Sequence, residues 1–257
     1  EIMRCGASAS LFTDYGDTVN ELWVKTRVSD DDTWTPRIEL FGARAATVQT
    51  HPVPRFDGLV CTDQMGVPGP WCDRLPHFKV EAIGDAGNEM QAEYMVDRTD
   101  AVAGIRALKE LSEVVRPFIL AAEFRSVAPD DLWLSSAYQR DTICLHYATL
   151  ADPAVPGEVL PVVERALEPF APRPHWGKLF VASAEELAPR YPKMANFRAL
   201  ANRLDPHGKY AGASSNRKDW VAGNERSLHS ASLRSGSRCG WCGDRMLTAT
   251  LKDFILP

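Results

Sequence analysis

The chain of 257 residues lacks three features, each of which would assign it to a broad class of protein. It has no excess of basic residues, since its net charge is -5, and this argues against non-specific binding to nucleic acid. It has no run of about 18 apolar residues, so no membrane span is expected. It has no GxGxxG after a strand pattern and no GxxxxGK followed by Ser or Thr, so no phosphate-binding loop is predicted.

Cysteine is scarce and scattered. Of the six cysteines, four stand singly, and this spacing does not indicate a disulfide framework. The other two form a CxxC pair, Cys239 and Cys242, which cannot complete a tetrahedral zinc site alone, so no metal is predicted. The sequence begins with Glu1 and has no signal peptide, which indicates a processed N-terminus or a piece of a longer protein. We expect a reducing, cytoplasmic setting.

What is present is an ordinary globular composition. Hydrophobic residues make up 45% and charged residues 25%, and the length suits one large or two small domains. Alternating patterns predict strands at about 22–28, 38–48, 78–83, 89–96, 118–127 and 142–149. Apolar stripes and caps predict helices at about 99–115, 158–170 and 194–204, and a capping box at Ser183 and Glu186 predicts a further short helix. This order favours an α+β fold with a mostly antiparallel sheet and helices packed on one face.

Two finer predictions concern particular segments. The sequence between the strands at 78–83 and 89–96 carries the turn residues Gly84 to Gly87, so a hairpin is predicted, with Glu89, Gln91 and Glu93 facing solvent. After Tyr210 the sequence becomes rich in Ser, Gly, Arg and Asn. We therefore expect a domain over residues 1–210 and an atypical, poorly ordered tail over residues 211–257.

Glu123 and Arg125 are the first candidate functional residues. They are two positions apart in a predicted strand, so both side chains leave the same face while Phe124 points into the core. The plain alternative is a surface salt bridge, which is the commoner meaning of such a pair. His146 lies in the next predicted strand and could stand beside them if the two strands are neighbours. Its alternative is a histidine that is merely hydrogen-bonded at a sheet surface.

The tetrapeptide His175-Trp176-Gly177-Lys178 is the second candidate. Glycine lets a backbone approach a flat ligand without a Cβ clash. A lysine and an arginine at one site can stabilise negative charge that develops on a cofactor or an alkoxide. The alternative assigns Trp176 to the core and the Lys178 ammonium to solvent.

Eight short segments occur in the order and context of one known family: residues 10–14 (SLFTD), 23–25 (WVK), 51–54 (HPVP), 66–71 (GVPGPW), 75–78 (LPHF), 130–135 (DDLWLS), 173–178 (RPHWGK) and 204–206 (LDP). With these segments, the sequence over about residues 8 to 210 resembles the substrate-domain half of the FAD-linked alditol (xylitol) and D-arabinono-1,4-lactone oxidase family, within the vanillyl-alcohol-oxidase-like flavoproteins. The resemblance implies the substrate or cap domain of that fold, without the N-terminal FAD-binding domain.

The resemblance also implies roles for individual residues. Glu123, Arg125 and Lys178 match positions that contact the polyol, and His175 matches one that touches the flavin. Arg125 and Lys178 would offset negative charge as hydride passes from a terminal carbinol carbon to FAD. His146 matches a substrate-site histidine and is the candidate proton acceptor. The expected partners are a polyol or sugar lactone and molecular oxygen, with hydrogen peroxide as a product.

Two departures from the family pattern bear on function. Ala148 stands in His146-Tyr147-Ala148-Thr149, where the pattern has His-Phe-Thr-Trp, so a substrate-binding hydroxyl is expected to be lost. The Ser- and Arg-rich tail replaces an apolar segment, as a frameshift or a foreign extension would. The alternative to an oxidase portion is therefore a non-catalytic, truncated remnant that acts only as an α+β binding module.

Overall fold

The structure is a computed structural model that describes residues 1–29, 38–53, 56–80, 89–207, 209 and 245–254. It divides into two compact units. The first takes its described residues from Glu1–Asn88, Leu120–Arg125 and Leu228–Pro257, and the second from Glu89–Ile119 and Ser126–Ser227. The predicted hairpin turn at Gly84 to Gly87 and the Cys239–Cys242 pair lie outside the described residues.

The first unit is an antiparallel sheet with long connecting loops. Its strands are β1 (Ser8–Thr13), β2 (Val19–Val28), β3 (Glu39–Leu40), β4 (Ala43–Ala45), β5 (Gly69–Pro70), the Leu120–Arg125 part of β7 (Ile119–Val127), and β10 (Arg245–Phe254). Their order is β3-β4-β10-β2-β1-β7, and β5 also pairs with β10. Short 3₁₀ turns occur at Ile2–Arg4, Gly58–Val60 and Trp71–Asp73.

The position of β10 corrects the expectation of a poorly ordered tail for residues 245–254. This strand runs antiparallel to β2 from Arg245 opposite Val28 to Phe254 opposite Val19. Met246, Leu247 and Leu251 are buried, so the segment carries apolar side chains that the preceding Ser- and Arg-rich stretch lacks. Composition averaged over the tail concealed these core residues.

The predicted single strand at 38–48 is also wrong. Its residues form two short strands, β3 and β4, which pair with Leu40 opposite Ala43. Phe41 and Gly42 form the turn between them, and both have positive φ, 52° and 82°. Positive φ at both central residues is the geometry of a two-residue hairpin turn, in which glycine is favoured.

The described residues of the second unit form a small antiparallel sheet and five helices. The sheet order is β8 (Thr142–Leu150), β6 (Glu89–Asp97) and β9 (Arg173–Pro174). The helices are α1 (Ala101–Glu110), α2 (Ser112–Val115), α3 (Leu160–Leu167), α4 (Ala184–Leu187) and α5 (Met194–Leu204). A π turn at Val155–Val159 precedes α3, and 3₁₀ turns occur at Arg98–Asp100, Glu168–Phe170 and Ala188–Arg190.

Helices α1 and α3 pack on one face of this sheet. A Cβ built on Gly104 in α1 would lie 3.6 to 3.9 Å from side-chain atoms of Leu145, Val96 and Leu167, so these elements meet closely. The Tyr94 hydroxyl on β6 donates a hydrogen bond of 2.7 Å to Glu164 on α3. Tyr94 and Val96 are two apart on β6 and therefore share this face.

The coarse fold class is confirmed. The described strand pairs are mostly antiparallel and are accompanied by helices, as an α+β fold requires. The capping box at Ser183 and Glu186 is present, with both reciprocal hydrogen bonds. The predicted helix at about 99–115 is divided at Leu111 into α1 and α2. Among the helices described, none has the length and apolarity to cross a membrane.

Candidate functional site

Glu123 lies on β7 in the first unit, on a face of the sheet that carries both polar and apolar side chains. It pairs with Phe12 of β1, while its neighbour Phe124 pairs with Leu11 and is fully buried on the other face. Only 6% of Glu123 is exposed. The surface salt bridge considered as the plain alternative therefore does not describe this carboxylate, because it is removed from solvent.

The two oxygens of the Glu123 carboxylate face different groups. His77 Nε2 lies 3.0 Å from Oε1, and Arg125 Nε lies 3.6 Å from Oε2. Burial alone would raise the pKa of Glu123, but the hydrogen bond from His77 and the positive charge of Arg125 lower it to about 2. The side chain is therefore an ionised hydrogen-bond acceptor at neutral pH.

Lys25 and His77 are two members of this cluster that the sequence did not predict. Lys25 is 1% exposed, and its ammonium lies 3.1 Å from His77 Nδ1. Burial lowers the pKa of Lys25 to about 7, although the negative charge of Glu123 opposes the shift. Cys61 is buried nearby, and burial raises the pKa of its thiol to about 12, so this thiol stays protonated.

The second unit carries the other candidates on the sheet face opposite α1 and α3. Glu93 of β6 pairs with His146 of β8, and Gln91 pairs with Ala148. Directly paired residues in an antiparallel ladder share a face, so these four side chains lie together. His146 Nε2 lies 3.3 Å from the Gln91 amide oxygen, and Ala148 is buried.

Glu93 corrects the prediction that it faces solvent together with Glu89 and Gln91. It is 4% exposed, and its Oε2 lies 2.8 Å from the Lys178 ammonium. Alternation along β6 identified which residues share a face, but it could not tell a solvated polar face from a buried one. The Lys178 ammonium is thus held in an ion pair and is not simply solvated, as its plain alternative had it.

The segment from His175 to Leu179 is positioned by the edge of β6. The His175 N–H donates to the Glu93 carbonyl at 2.9 Å, and the Leu179 N–H donates to the Gln91 carbonyl at 2.8 Å. Between these contacts the Gly177 N–H donates to His175 Nδ1 at 3.0 Å. A neutral His175 therefore carries its proton on Nε2.

Trp176 is anchored and yet partly exposed. Its Nε1 donates to the Leu134 carbonyl at 2.9 Å, and its ring centroid lies 4.8 Å from that of Tyr191. The residue remains 36% exposed. It therefore belongs neither fully to the core nor fully to the surface, unlike the core aromatic of the plain alternative.

The structure thus brings the predicted residues together in two groups, each within its own unit. Glu123 and Arg125 belong to the first unit, and His146, Ala148, His175 and Lys178 belong to the second. In the described parts of the chain, no group of three or more His, Cys, Asp or Glu is arranged to hold a metal ion. No disulfide joins the described cysteines, Cys5, Cys61, Cys72 and Cys144.

Comparison with known proteins assigns the family. The family described as D-arabinono-1,4-lactone oxidase matches residues 88–218. The chain belongs to this family. The matched region of this D-arabinono-1,4-lactone oxidase family member contains both groups of candidate residues, including Glu123, Arg125 and Lys178, which were selected from the sequence.

Several curated proteins are similar to this family member. An alditol oxidase from Streptomyces sp. (strain IKD472 / FERM P-14339) is 44% identical over 216 residues, which cover 81% of this chain and 49% of that protein. An L-gulono-1,4-lactone dehydrogenase from Mycobacterium tuberculosis (strain ATCC 25618 / H37Rv) is 37% identical over 136 residues, covering 50% of this chain and 30% of that protein. The chain therefore spans about half the length of these curated relatives, or less.

Proposed function

We propose that this chain is the substrate-binding portion of an FAD-dependent oxidase that oxidises a terminal hydroxyl of an alditol, or an aldonolactone. Oxygen is the proposed electron acceptor, and hydrogen peroxide the product. The similarity to an alditol oxidase and to a lactone dehydrogenase supports this substrate range. The cap domain of the vanillyl-alcohol-oxidase-like fold is the proposed architecture.

The observation that carries the proposal is the buried, ionised carboxylate of Glu123. Removing a charge from water costs several kcal/mol, and a buried ion pair is often no more stabilising than apolar residues of the same volume. A sheet that needed only stability would therefore not require Glu123 and Arg125 at these positions. A carboxylate held as an acceptor beside a guanidinium is, however, well suited to the hydroxyl groups of a polyol.

In the second unit, Lys178 and His146 are the proposed reactive groups. Glu93 holds the Lys178 ammonium at 2.8 Å, which fixes a positive charge close to His146 on the shared sheet face. We assign His146 as the acceptor of the alcohol proton and Lys178 as a donor to the developing alkoxide. Arg125 is the corresponding cation of the first unit.

The described residues fit one part of FAD and not another. In the second unit, Lys178 and the Nε2–H of His175 are donors suited to the acceptor-rich edge of a flavin ring. Arg125 is a donor of the same kind in the first unit. Acidic side chains stand at the N-terminal ends of α1 and α4, including Asp97, Asp100 and Glu185, and would repel a pyrophosphate. When bound, FAD would supply the hydride acceptor. Its pyrophosphate would have to be held by another domain.

Ala148 bears on the choice of substrate. Its methyl group, opposite Gln91 on the face with His146, offers no hydrogen bond where the family pattern has a threonine hydroxyl. We therefore propose that the preferred polyol or lactone differs from that of relatives with the threonine. Ala148→Thr should shift the ratio of kcat/KM values between xylitol and sorbitol in an active form of the enzyme.

The proposal is tested by joining the chain to a flavin-binding domain of the family and measuring peroxide formation with xylitol. We expect turnover that falls at least about 100-fold in Lys178→Met and in Arg125→Met, since loss of one electrostatic donor costs about that much. Lys109→Met, on the exposed side of α1, is the matched control and should retain full turnover. A joined protein that binds FAD and gives no peroxide with alditols or lactones would refute the oxidase.

The purified chain alone addresses the alternative of a binding module. If added FAD gives no flavin absorbance on the chain, but xylitol still binds, the chain acts as a polyol-binding unit without redox activity of its own. This alternative is favoured by one observation: no described helix begins at a glycine-rich loop suited to a pyrophosphate.

A further inference from the structure

Three of the segments that carry the family resemblance meet at Glu123 in the first unit. Ser10 comes from β1, Lys25 from β2, and His77 from the loop after Trp71–Asp73. The Ser10 hydroxyl lies 3.1 Å from His77 Nε2, and the same nitrogen lies 3.0 Å from Glu123 Oε1. The proposed function uses Glu123 and Arg125 from this cluster, so the buried Lys25 and the adjacent His77 need an explanation.

The Lys25 ammonium has three hydrogen-bond acceptors, which equals its number of N–H donors. Nζ donates to the Leu75 carbonyl at 2.5 Å and to the Pro76 carbonyl at 2.8 Å, and the third contact is His77 Nδ1 at 3.1 Å. A saturated ammonium cannot accept a hydrogen bond. The contact with His77 is therefore consistent with Nζ as donor and Nδ1 as acceptor.

While Lys25 is protonated, this arrangement favours one tautomer of His77. When Nδ1 accepts, a neutral imidazole carries its proton on Nε2. Nε2 is the ring nitrogen that faces the carboxylate, so in this tautomer Nε2–H donates to Glu123 Oε1. In the other tautomer, Nε2 would present a lone pair to the carboxylate, and two acceptors would face each other at 3.0 Å.

We propose that Lys25 and His77 are positioning residues that orient the Glu123 carboxylate for polyol binding, with Lys25 acting by fixing the Nε2–H tautomer of His77. The inference rests on the proposed function, because it takes Glu123 to contact the polyol. The imidazole engages Oε1 and leaves Oε2 directed towards Arg125, which lies 3.6 Å away. The carboxylate is thereby held in one orientation about its terminal bond.

A purely structural role for Lys25 is the competing explanation. The ring of Trp23 lies 5.9 Å from Nζ, and the neighbours Phe12 and Cys61 are apolar, so a methionine could fill this space without burying a charge. The position instead holds an ammonium whose donors all reach acceptors. The two explanations differ in whether Lys25 decides which ring nitrogen of His77 carries the proton.

The first arm of the test determines the tautomer by ¹⁵N NMR of the imidazole nitrogens at pH 6, where Lys25, whose pKa burial lowers to about 7, keeps its proton. The His77 signals are assigned from the His77→Gln variant. We expect a protonated Nε2 and a bare Nδ1 in the wild-type chain, and a larger fraction of Nδ1–H in Lys25→Met. A wild-type proton on Nδ1, or the same tautomer in both proteins, would overturn the proposal. If Lys25→Met does not fold, the wild-type tautomer decides this arm.

The second arm measures xylitol binding to the chain by calorimetry. His77→Leu should weaken binding about tenfold, whereas His77→Gln, whose amide N–H can replace Nε2–H, should stay within about threefold of wild type. His207→Leu, an exposed site, is the control and should bind as wild type does. Equal weakening in the Gln and Leu variants, or none in either, would contradict the positioning role.

The two arms separate failure of this inference from failure of the proposed function. If xylitol does not bind the wild-type chain, polyol binding by this chain fails and the tautomer arm alone decides how Lys25 and His77 are related. If xylitol binds and Glu123→Gln binds it equally well, Glu123 is not the polyol acceptor and the positioning role is refuted.

Discussion

In the first unit a histidine, Lys25 and Arg125 surround the Glu123 carboxylate, whereas in the second unit Glu93 forms a direct ion pair with the Lys178 ammonium. Lys25 Nζ lies 3.1 Å from His77 Nδ1, and His77 Nε2 lies 3.0 Å from Glu123 Oε1. Arg125 Nε stands 3.6 Å from the second oxygen of Glu123. Glu93 contacts Lys178 directly at 2.8 Å. Both carboxylates are buried, yet one is held by a chain of groups and the other by a short ion pair.

The difference shows what each arrangement can control. A direct pair ties the carboxylate and the ammonium into one unit, so any change in one is felt by the other. A chain that passes through an imidazole makes the orientation of the carboxylate depend on where one proton lies. We therefore expect stability to dominate the response of the second unit to substitution, and protonation to dominate that of the first.

The largest expected effect comes from breaking the direct pair. Lys178→Met should lower the free energy of unfolding by about 3 kcal/mol, because it removes the ammonium from a buried carboxylate. Urea-induced unfolding followed by tryptophan fluorescence measures this change. Lys109→Met, exposed on α1, should change stability by less than about 0.5 kcal/mol.

A double variant sharpens the same test. Glu93→Leu combined with Lys178→Met replaces both charges by apolar groups and should recover more than half of the lost stability. A double variant as unstable as Lys178→Met alone would show that the ion pair is not the source of the loss.

The second prediction concerns the protonation of Lys25. The unfolded chain keeps this proton up to the ordinary value of 10.5, whereas the folded chain loses it at about 7, so stability rises as pH increases between these values. The difference in unfolding free energy between wild type and Lys25→Met should therefore change in favour of wild type by about 2 kcal/mol from pH 7 to pH 9.

Subtracting the unfolding free energy of Lys25→Met from that of wild type isolates the contribution of Lys25 from those of other titrating groups. Cys61, whose pKa is raised by burial, lowers stability as pH rises through the ordinary value of its thiol, but it titrates in both proteins and cancels. If the difference in unfolding free energy between wild type and Lys25→Met does not change between pH 7 and pH 9, Lys25 keeps its proton in the folded chain. The expectation that protonation dominates the response of the first unit would then be wrong.

The smallest effects are expected at two glycines, one in each unit. Gly104 lies in α1 and a Cβ there would make ordinary contacts, so Gly104→Ala should stabilise by about 0.5 to 1 kcal/mol through helix propensity. Gly42 has φ of 82°, so Gly42→Ala should destabilise by about 1 kcal/mol. Thermal unfolding measures both, and the same sign at both positions would contradict the two backbone geometries.

The sequence predicted the regular elements best where periodicity is strong. Helix α5 begins and ends where its apolar pattern does, and β7 and β8 differ from their predicted bounds by a residue. Strand β10 was missed because its apolar residues follow a long polar stretch. Strand β1, over residues 8–13, was not predicted either. The register that inserts β10 beside β2 depends on contacts more than 200 residues apart, which local patterns do not encode.

For the candidate site, residue spacing predicted which side chains share a sheet face but not whether that face is buried. The spacing of Glu123 and Arg125 correctly predicted a shared face with Phe124 buried behind it. The same reasoning placed Glu93 in solvent, because the cover over that face comes from the distant Lys178 segment. Lys25 and His77 lie in segments that carry the family resemblance. Their contacts with each other and with Glu123 join three separate parts of the chain, so no local sequence pattern predicts them.

The place of β10 in the first unit also has a consequence for biosynthesis. Strands β2 and β4 both pair with β10, so each presents an open edge until the ribosome has released residues 245–254. Most of the chain must therefore emerge before the sheet can close, and an exposed strand edge can recruit other chains during that interval. Nascent chains that stop short of residue 245 should depend on chaperones far more than completed ones.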